Sequence, residues 1–230
     1  MLRITTITAL LYIIILFVSC KKNDTTPIQP STQIVTDIDG NVYHIDTIGS
    51  QIWMRENLKT THYNNGINIL NVTDDFVWAA LTTAAYCNYK NEVNNTPIYG
   101  NLYNWYAVNT GILCPIGWHV PTDAEWQTLI NYLGGDSIAG GKLKEAGLDH
   151  WNYPNYNATN ETGFTALPGG SRGMNGIFCN INSNGFWWSY STFNLVQNSA
   201  WGTGMISHTG SSFHGVYDFQ YGYSIRCIKD

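Results

Sequence analysis

The residues after Asp149 carry no helical period, and this feature restricts the fold more than any other in the sequence. Apolar residues there fall in short runs divided by Gly, Asn and Ser, which is the pattern of short strands joined by turns. The runs are FWWSYSTF, SAWGTGMI, SSFHGVYDF and YGYSIRCIKD. A long loop, WNYPNYNATNETGFTALPGGSRGMNG, precedes them and contains one short predicted strand at residues 164–167. The second half is therefore predicted to be loop-rich β-structure.

The first half combines strands with helices. In IVTDIDGNVYHI, Asp39 and Gly40 stand between two alternating runs, which predicts a β-hairpin. SQIWMRENL is a predicted third strand, and FVWAALTTAAYCNY and YGNLYNWYAV are helix candidates. The order of strands, helices and loop-rich strands predicts one α+β domain over residues 34–230.

The clearest predicted helix begins after Thr122. This residue is a favourable N-cap, and Glu125 three residues later completes a capping box. Gly134 and Gly135 end the helix, and SIAGGKLKEAG is a shorter second candidate. Apolar side chains recur along one face at Trp126, Leu129, Ile130 and Leu133.

The N-terminal segment predicts export. Arg3 precedes an almost wholly apolar run, residues 4–18, which is short for a membrane span. The run ends in LFVSC, which resembles the lipobox of bacterial lipoproteins, although Phe17 stands where Leu is usual. An ordinary signal peptide cut near Ser19, or a retained anchor, is the alternative interpretation.

The lipoprotein interpretation divides the N-terminal residues into two parts. Residues 1–19 are the predicted signal peptide, and Cys20 is the predicted site of acylation, which attaches the protein to a membrane. Residues 20–33 are then a polar, proline-containing tether. We expect an outer-membrane lipoprotein, facing either the periplasm or the outside of the cell.

The composition excludes one class of partner. Charged residues make up only 12% of the chain, whereas aromatic residues make up 14%. The net charge is −5, and Lys and Arg do not cluster beyond Lys21-Lys22. Because binding to phosphate backbones needs a basic patch, nucleic acid is not an expected partner.

Four cysteines remain after Cys20: Cys87, Cys114, Cys179 and Cys227. An even number in an exported chain predicts two disulfides. Three pairings are possible, and the spacing does not choose among them.

Several segments in order resemble the Fibrobacter succinogenes major paralogous domain family. They are DIDGNVYHIDTIGSQIWMRENLKT, YGNLYNWYAV, CPIGWHVPTDAEWQTL, GGKLKEAGLDHWNYPNYNATNETGFTALPGGSRG, GFWWSYS and YGYSIRCIKD. Members of the family are secreted or lipid-anchored proteins. More distantly, YGYSIRC is similar to the closing strand of the formylglycine-generating-enzyme branch of the C-type-lectin-like fold. This resemblance implies that fold, a Cys114–Cys227 bridge, and Cys87–Cys179 as the second bridge.

The same resemblance raises an enzymatic alternative, a metal-dependent oxidase or hydroxylase. Formylglycine-generating enzymes hold copper with two cysteines shortly before the final strand. The matching segment, ISHTGSSFHGVYDF, contains no cysteine, and thiolates are what suit a Cu(I) site. A nucleophilic Cys114–His119 pair is also disfavoured, because a cysteine in a disulfide cannot react. His119 is thus left without a structural assignment.

The loop DHWNYPNYNATNE is the best candidate ligand surface. Its carboxylate and amide oxygens are ligands that suit calcium, so calcium is a possible ligand although no cofactor is required. The alternative is an ordered loop whose asparagines bond to its own backbone, and we favour it. The residues are Asp149, Asn152, Asn155, Asn157, Asn160 and Glu161.

A second candidate surface is aromatic. Trp187, Trp188, Tyr190 and Trp201 could stack on sugar rings. Alternation along FWWSY sends Trp187 and Trp188 to opposite faces of a strand, so at least one of them belongs in the core. The core interpretation is favoured for these aromatics.

These observations predict a non-catalytic, lipid-anchored envelope protein that binds a glycan or protein ligand through its C-terminal half. The alternatives are the metal-dependent oxidase or hydroxylase and a purely structural envelope protein.

Overall fold

Short, mostly antiparallel strands and a few short helices make up the fold, as expected for an α+β protein. The computed structural model describes residues 33–230. The strands are β1 (Ile34–Thr36), β2 (Val42–Ile48), β3 (Gln51–Met54), β4 (Leu70–Asn71), β5 (Ala85–Cys87), β6 (Leu102–Tyr103), β7 (Trp118–His119), β8 (Ser171–Arg172), β9 (Phe178–Cys179), β10 (Asn184–Thr192), β11 (Ser199–Ile206), β12 (Ser212–Asp218) and β13 (Ile228–Lys229). The helices are α1 (Asp75–Ala79), α2 (Thr96–Tyr99), α3 (Trp105–Val108), α4 (Asp123–Tyr132) and α5 (Asp136–Leu143), with 3-10 turns at Tyr89–Asn91 and Val93–Asn95.

The first and last described strands share one antiparallel sheet, ordered β1-β2-β3-β13-β7. The predicted hairpin joins β1 to β2, and Gly40 in its turn has a φ of 82°, which favours glycine. Ile228 of β13 pairs with Trp53 on one side and His119 on the other. The last strand is thereby inserted between the N-terminal hairpin and the segment before α4.

A disulfide fastens this sheet. Cys114 and Cys227 are bonded, with Cα atoms 6.1 Å apart and a sequence separation of 113 residues. Both cysteines are buried. The predicted Cys114–Cys227 bridge is confirmed.

The second expected bridge, Cys87–Cys179, does not form, and the prediction is wrong. Cys87 is buried in β5, whereas Cys179 is exposed on β9. The neighbouring Phe178 packs against the core cluster that contains Cys87. Because successive side chains on a strand point to opposite faces, Cys179 points away from that cluster.

The two predicted helices after Pro121 are confirmed. The Thr122 side chain accepts the Glu125 amide, and the Glu125 side chain accepts the Thr122 amide, so the capping box is complete. In α5, a Cβ added to Gly141 would lie 2.4 Å from the Asn157 carbonyl oxygen. This glycine therefore allows the long loop after α5 to pack directly on the helix.

Three predicted elements differ from the structure. YGNLYNWYAV is not one helix: β6 is followed by α3, because the Asn104 side chain caps the helix by accepting the Ala107 amide. FVWAALTTAAYCNY is helical only in α1 and continues as β5. Residues 164–167 form only a single bridge between Ala166 and Lys144, because the backbone at Thr165 is left-handed.

The core lies on both sides of the β10–β11–β12 sheet. Trp188 belongs to a cluster with Tyr103, Tyr223 and the disulfide, whereas Trp187 belongs to a second cluster with Trp126. The expected opposite orientation of the two tryptophans is found, and both faces are covered.

The predicted signal peptide, Cys20 and nearly all of the tether lie outside the described residues. Among residues 33–230, no helix is long and apolar enough to cross a membrane.

Candidate functional site

The long loop between α5 and β8 is held in place by a buried lysine. Lys144, at the end of α5, is completely buried. Its Nζ donates hydrogen bonds to the carbonyl oxygens of Tyr156 (3.1 Å), Ile206 (3.1 Å) and Thr209 (2.7 Å). Burial lowers the pKa of this ammonium group to about 8. The lysine therefore ties the loop to the segment that joins β11 to β12.

Asn155 adds a second attachment. It is buried, and its Nδ2 donates to the carbonyl oxygens of Glu145 (2.8 Å) and Gly147 (2.7 Å). A side-chain amide used in this way orders the loop from within. The loop is thus attached to the rest of the fold by the hydrogen bonds of Lys144 and is bonded internally by those of Asn155.

The candidate calcium residues are directed to separate partners. Asn152 donates to Ser183 (3.0 Å), and Asn160 exchanges two hydrogen bonds with Thr165. Glu161 forms an ion pair with Lys142 at 3.1 Å, and Asp149 is exposed. Asn155 and Asn160 bond to groups of their own loop, which is the interpretation that the sequence favoured, whereas Asn152 bonds outside it. Calcium binding stays a prediction.

Glu161 separates two adjacent depressions in the surface. One, of about 300 Å³, is lined by Ile138 and Lys142 of α5 and by Asn157, Thr159 and Glu161 of the loop. The other, of about 240 Å³, is lined by residues that include Glu161, Thr162 and Tyr132. We call the two depressions together the Glu161 groove.

Tyr132 supplies an aromatic face to this groove. The side chain stands at the end of α4 and is 65% exposed. A Cβ added to Gly49 would lie 3.0 Å from the ring, so the ring packs against the bare backbone between β2 and β3. No local pattern in the sequence points to Tyr132, because its neighbours across the groove are distant in the chain.

The candidate aromatic platform is contradicted by the burial of two of its three tryptophans, and the favoured core interpretation holds for Trp187 and Trp188. Trp187 and Trp188 are completely buried. Trp201 is partly buried, and its ring packs edge-on against Phe193 at 5.1 Å between centroids. Tyr190 is exposed but lies at a different pocket, beside Val108 and Leu113. Because β10 is covered on both faces at these positions, Trp187 and Trp188 have no access to a ligand.

His119 has a structural role that the sequence did not reveal. Its Nε2 is 3.0 Å from a Glu125 carboxylate oxygen, and its Nδ1 is 2.6 Å from an Asp230 carboxylate oxygen. Burial alone would lower the pKa of His119, but the two carboxylates outweigh burial and raise it. The imidazole thus joins the final residue to the first turn of α4.

No group of three His, Cys, Asp or Glu side chains within residues 33–230 is arranged to hold a metal ion. His214 also lies near two carboxylates, with Nδ1 3.2 Å from Asp123 and Nε2 3.7 Å from Asp136.

Comparison with known proteins identifies one family. The family model described as the Fibrobacter succinogenes major domain matches residues 47–229. Neither the curated proteins nor the solved structures contain a match.

Proposed function

The chain belongs to the Fibrobacter succinogenes major domain family, and from this premise we propose that it is a non-catalytic, surface-exposed binding protein of the bacterial envelope. Its ligand is a glycan, and the binding site is the Glu161 groove. The anchor is a lipidated Cys20, followed by the tether at residues 20–33.

The side chains that line the Glu161 groove are the main support for this proposal. An exposed aromatic ring, amide and hydroxyl side chains and one carboxylate–ammonium pair line adjoining depressions. The polar groups of Asn157, Thr159 and Glu161 suit the hydroxyls of a sugar, and the Tyr132 ring suits its C–H face.

The attachment of the loop favours binding. Lys144 and Asn155 hold the loop through hydrogen bonds to five backbone carbonyls within the described fold. A surface that is already ordered loses less conformational entropy when a ligand binds. Weak contacts with several sugar hydroxyls can then add up to a usable affinity.

We also propose that the fold is C-type-lectin-like, of the formylglycine-generating-enzyme type. Two features support this: the first and last described strands share a sheet, and a disulfide joins Cys227 beside the last strand to an earlier segment. An experimental structure tests the assignment by its topology.

A glycan array with the purified full chain tests the binding function. We expect specific glycans to bind, and Tyr132→Ala to weaken binding about three- to tenfold through loss of the stacking face. Glu161→Gln removes the carboxylate acceptor and should weaken binding as well. Phe76→Ala is the matched control, because Phe76 is an aromatic residue that is 87% exposed and lies outside the groove. An array without signal, or a Tyr132→Ala variant that binds like the wild type, would refute the assignment.

The anchor is tested separately. Mass spectrometry of the N-terminal peptide from the membrane fraction should show acylated Cys20, and Cys20→Ser should release the protein. A water-soluble protein with a free N-terminus beyond Cys20 would contradict the anchor without affecting the test of the groove.

A further inference from the structure

We propose a second ligand site, separate from the Glu161 groove, in which His62, Asn68 and Asn71 bind a neutral sugar unit above Tyr86. These side chains line a depression of about 350 Å³. Its volume lies within the range of small-molecule sites. The inference does not depend on glycan binding at the Glu161 groove.

The orientation of His62 is set by Asp39, in the turn between β1 and β2. Asp39 accepts hydrogen bonds from the Thr61 amide (2.6 Å) and the Thr60 hydroxyl (2.9 Å), and it contacts His62 Nδ1. Burial alone would raise the pKa of Asp39, but these hydrogen bonds outweigh it and lower the pKa. An ionised carboxylate at Nδ1 makes that nitrogen the donor, so whenever the imidazole is neutral its Nε2 is an acceptor.

The two asparagines lie three residues apart, and both line the depression, which also includes His62 and Tyr86 from other segments. Asn68 forms an antiparallel bridge with His62, and Asn71 of β4 is in register with Tyr86 of β5. Both asparagines are exposed, whereas Tyr86 is only 8% exposed and forms part of the floor.

Asn68 has hydrogen-bonding capacity that the fold does not use. Its side-chain amide has no hydrogen bond to any other described residue, whereas Asn155 and Asn160 of the long loop are engaged with their own surroundings. An amide that the fold leaves free, beside an oriented imidazole in a concavity, is available for a ligand.

The side chains that line this depression determine which class of ligand it can bind. A sugar hydroxyl can donate to His62 Nε2, and an asparagine amide can both donate to and accept from adjacent hydroxyls. No Lys or Arg lines the depression, and the Asp39 carboxylate stands behind His62, so an anionic ligand is disfavoured. A neutral, hydroxyl-rich ring satisfies these groups.

The experiment is a titration of the isotopically labelled full chain in detergent micelles. The probes are the methyl glycosides of glucose, galactose, mannose and N-acetylglucosamine. We expect at least one to shift the backbone amide signals of His62, Asn68 and Asn71 saturably. Asn68→Ala should weaken that affinity about two- to tenfold, as expected for the loss of a neutral hydrogen bond.

The matched control is Asn94→Ala, because Asn94 is an exposed asparagine outside the depression. It should change the affinity by less than about twofold, within the range of surface substitutions. Asn68→Ala should leave the fold intact, because Asn68 is exposed. The proposal is overturned if none of the four glycosides shifts these signals, if shifts occur only around Glu161, or if Asn68→Ala binds like the wild type.

Discussion

The imidazole of His119 lies 3.0 Å from the carboxylate of Glu125, the residue that completes the cap of α4. The same imidazole bonds to Asp230, and β7 pairs with β13 directly beside it. The cap of the main helix and the end of the chain are therefore one connected structure.

This connection predicts a pH dependence of stability. The raised pKa of His119 adds stability that is fully present below its ordinary pKa of 6.5 and is lost as pH rises through the folded-state pKa. Burial alone would raise the pKa of Glu125, but hydrogen bonds from Thr122 and His119 lower it, so its contribution is present above its ordinary value of 4.5 and is lost in acid. The pair stabilises the fold most between these two values.

The variant His119→Gln tests this pH range of greatest stabilisation. The difference in melting temperature between wild type and variant should be largest near pH 5.5, midway between the ordinary values of 4.5 and 6.5, and smaller at pH 9. A difference independent of pH would show that His119 acts only through packing.

The disulfide should contribute strongly to stability. It closes a sequence separation of 113 residues, and the chain-entropy relation gives about 4–5 kcal/mol for a loop of that size. We expect the free energy of unfolding, measured in urea, to fall by most of this amount in the Cys114→Ser/Cys227→Ser double variant. Cys179→Ser is the control and should unfold like the wild type. Equal stability of the double variant and the wild type would contradict the role of the bridge.

The two remaining thiols should differ sharply in reactivity. Burial raises the pKa of Cys87 to about 12, so its thiolate is scarce and enclosed, whereas Cys179 is exposed. Iodoacetamide should label Cys179 in the native protein and Cys87 only after unfolding. Peptide mapping without reduction should recover Cys114–Cys227, and recovery of a Cys87–Cys179 peptide would contradict the structure.

Lys144→Ala should destabilise the protein by about 2–3 kcal/mol, because three backbone carbonyls lose a charged donor. Denaturant unfolding measures this, with Lys142→Ala as control, since Lys142 is a partly exposed lysine on the same helix. If the loop depends on Lys144, amide hydrogen exchange at residues 152–160 should also become faster in Lys144→Ala. Unchanged exchange there would show that Asn155 alone orders the loop.

Local rules predicted the local elements well. The Asp39-Gly40 hairpin, the Thr122–Glu125 capping box and the short strands after Asp149 depend on neighbouring residues, whose patterns are visible in the sequence. The prediction was wrong where a helical period and an N-cap residue occurred in the same segment. The period predicted one helix over YGNLYNWYAV, but Asn104 caps a helix inside it and divides the segment into a strand and a helix.

The candidate sites depend on burial and on contacts between distant residues, which no local sequence pattern predicts. Trp187 and Trp188 were correctly placed on opposite faces of a strand, but only the packed structure shows that both faces are covered. The Glu161 groove brings Tyr132 from the end of α4 to Glu161 of the long loop. The proposed sugar site brings His62 and Tyr86 together from two segments, and Asp39 of a third segment contacts His62.

The sequence alone determined the family, the α+β class and the main helix, because motif order, periodicity and capping depend on residues close together in the chain. Tertiary structure decided which cysteines meet, which aromatics are accessible and which polar side chains remain free for a ligand. Those properties depend on burial and on contacts between distant residues: Cys179 faces solvent because Phe178 faces the core, and His119 has a partner because Asp230 returns to it.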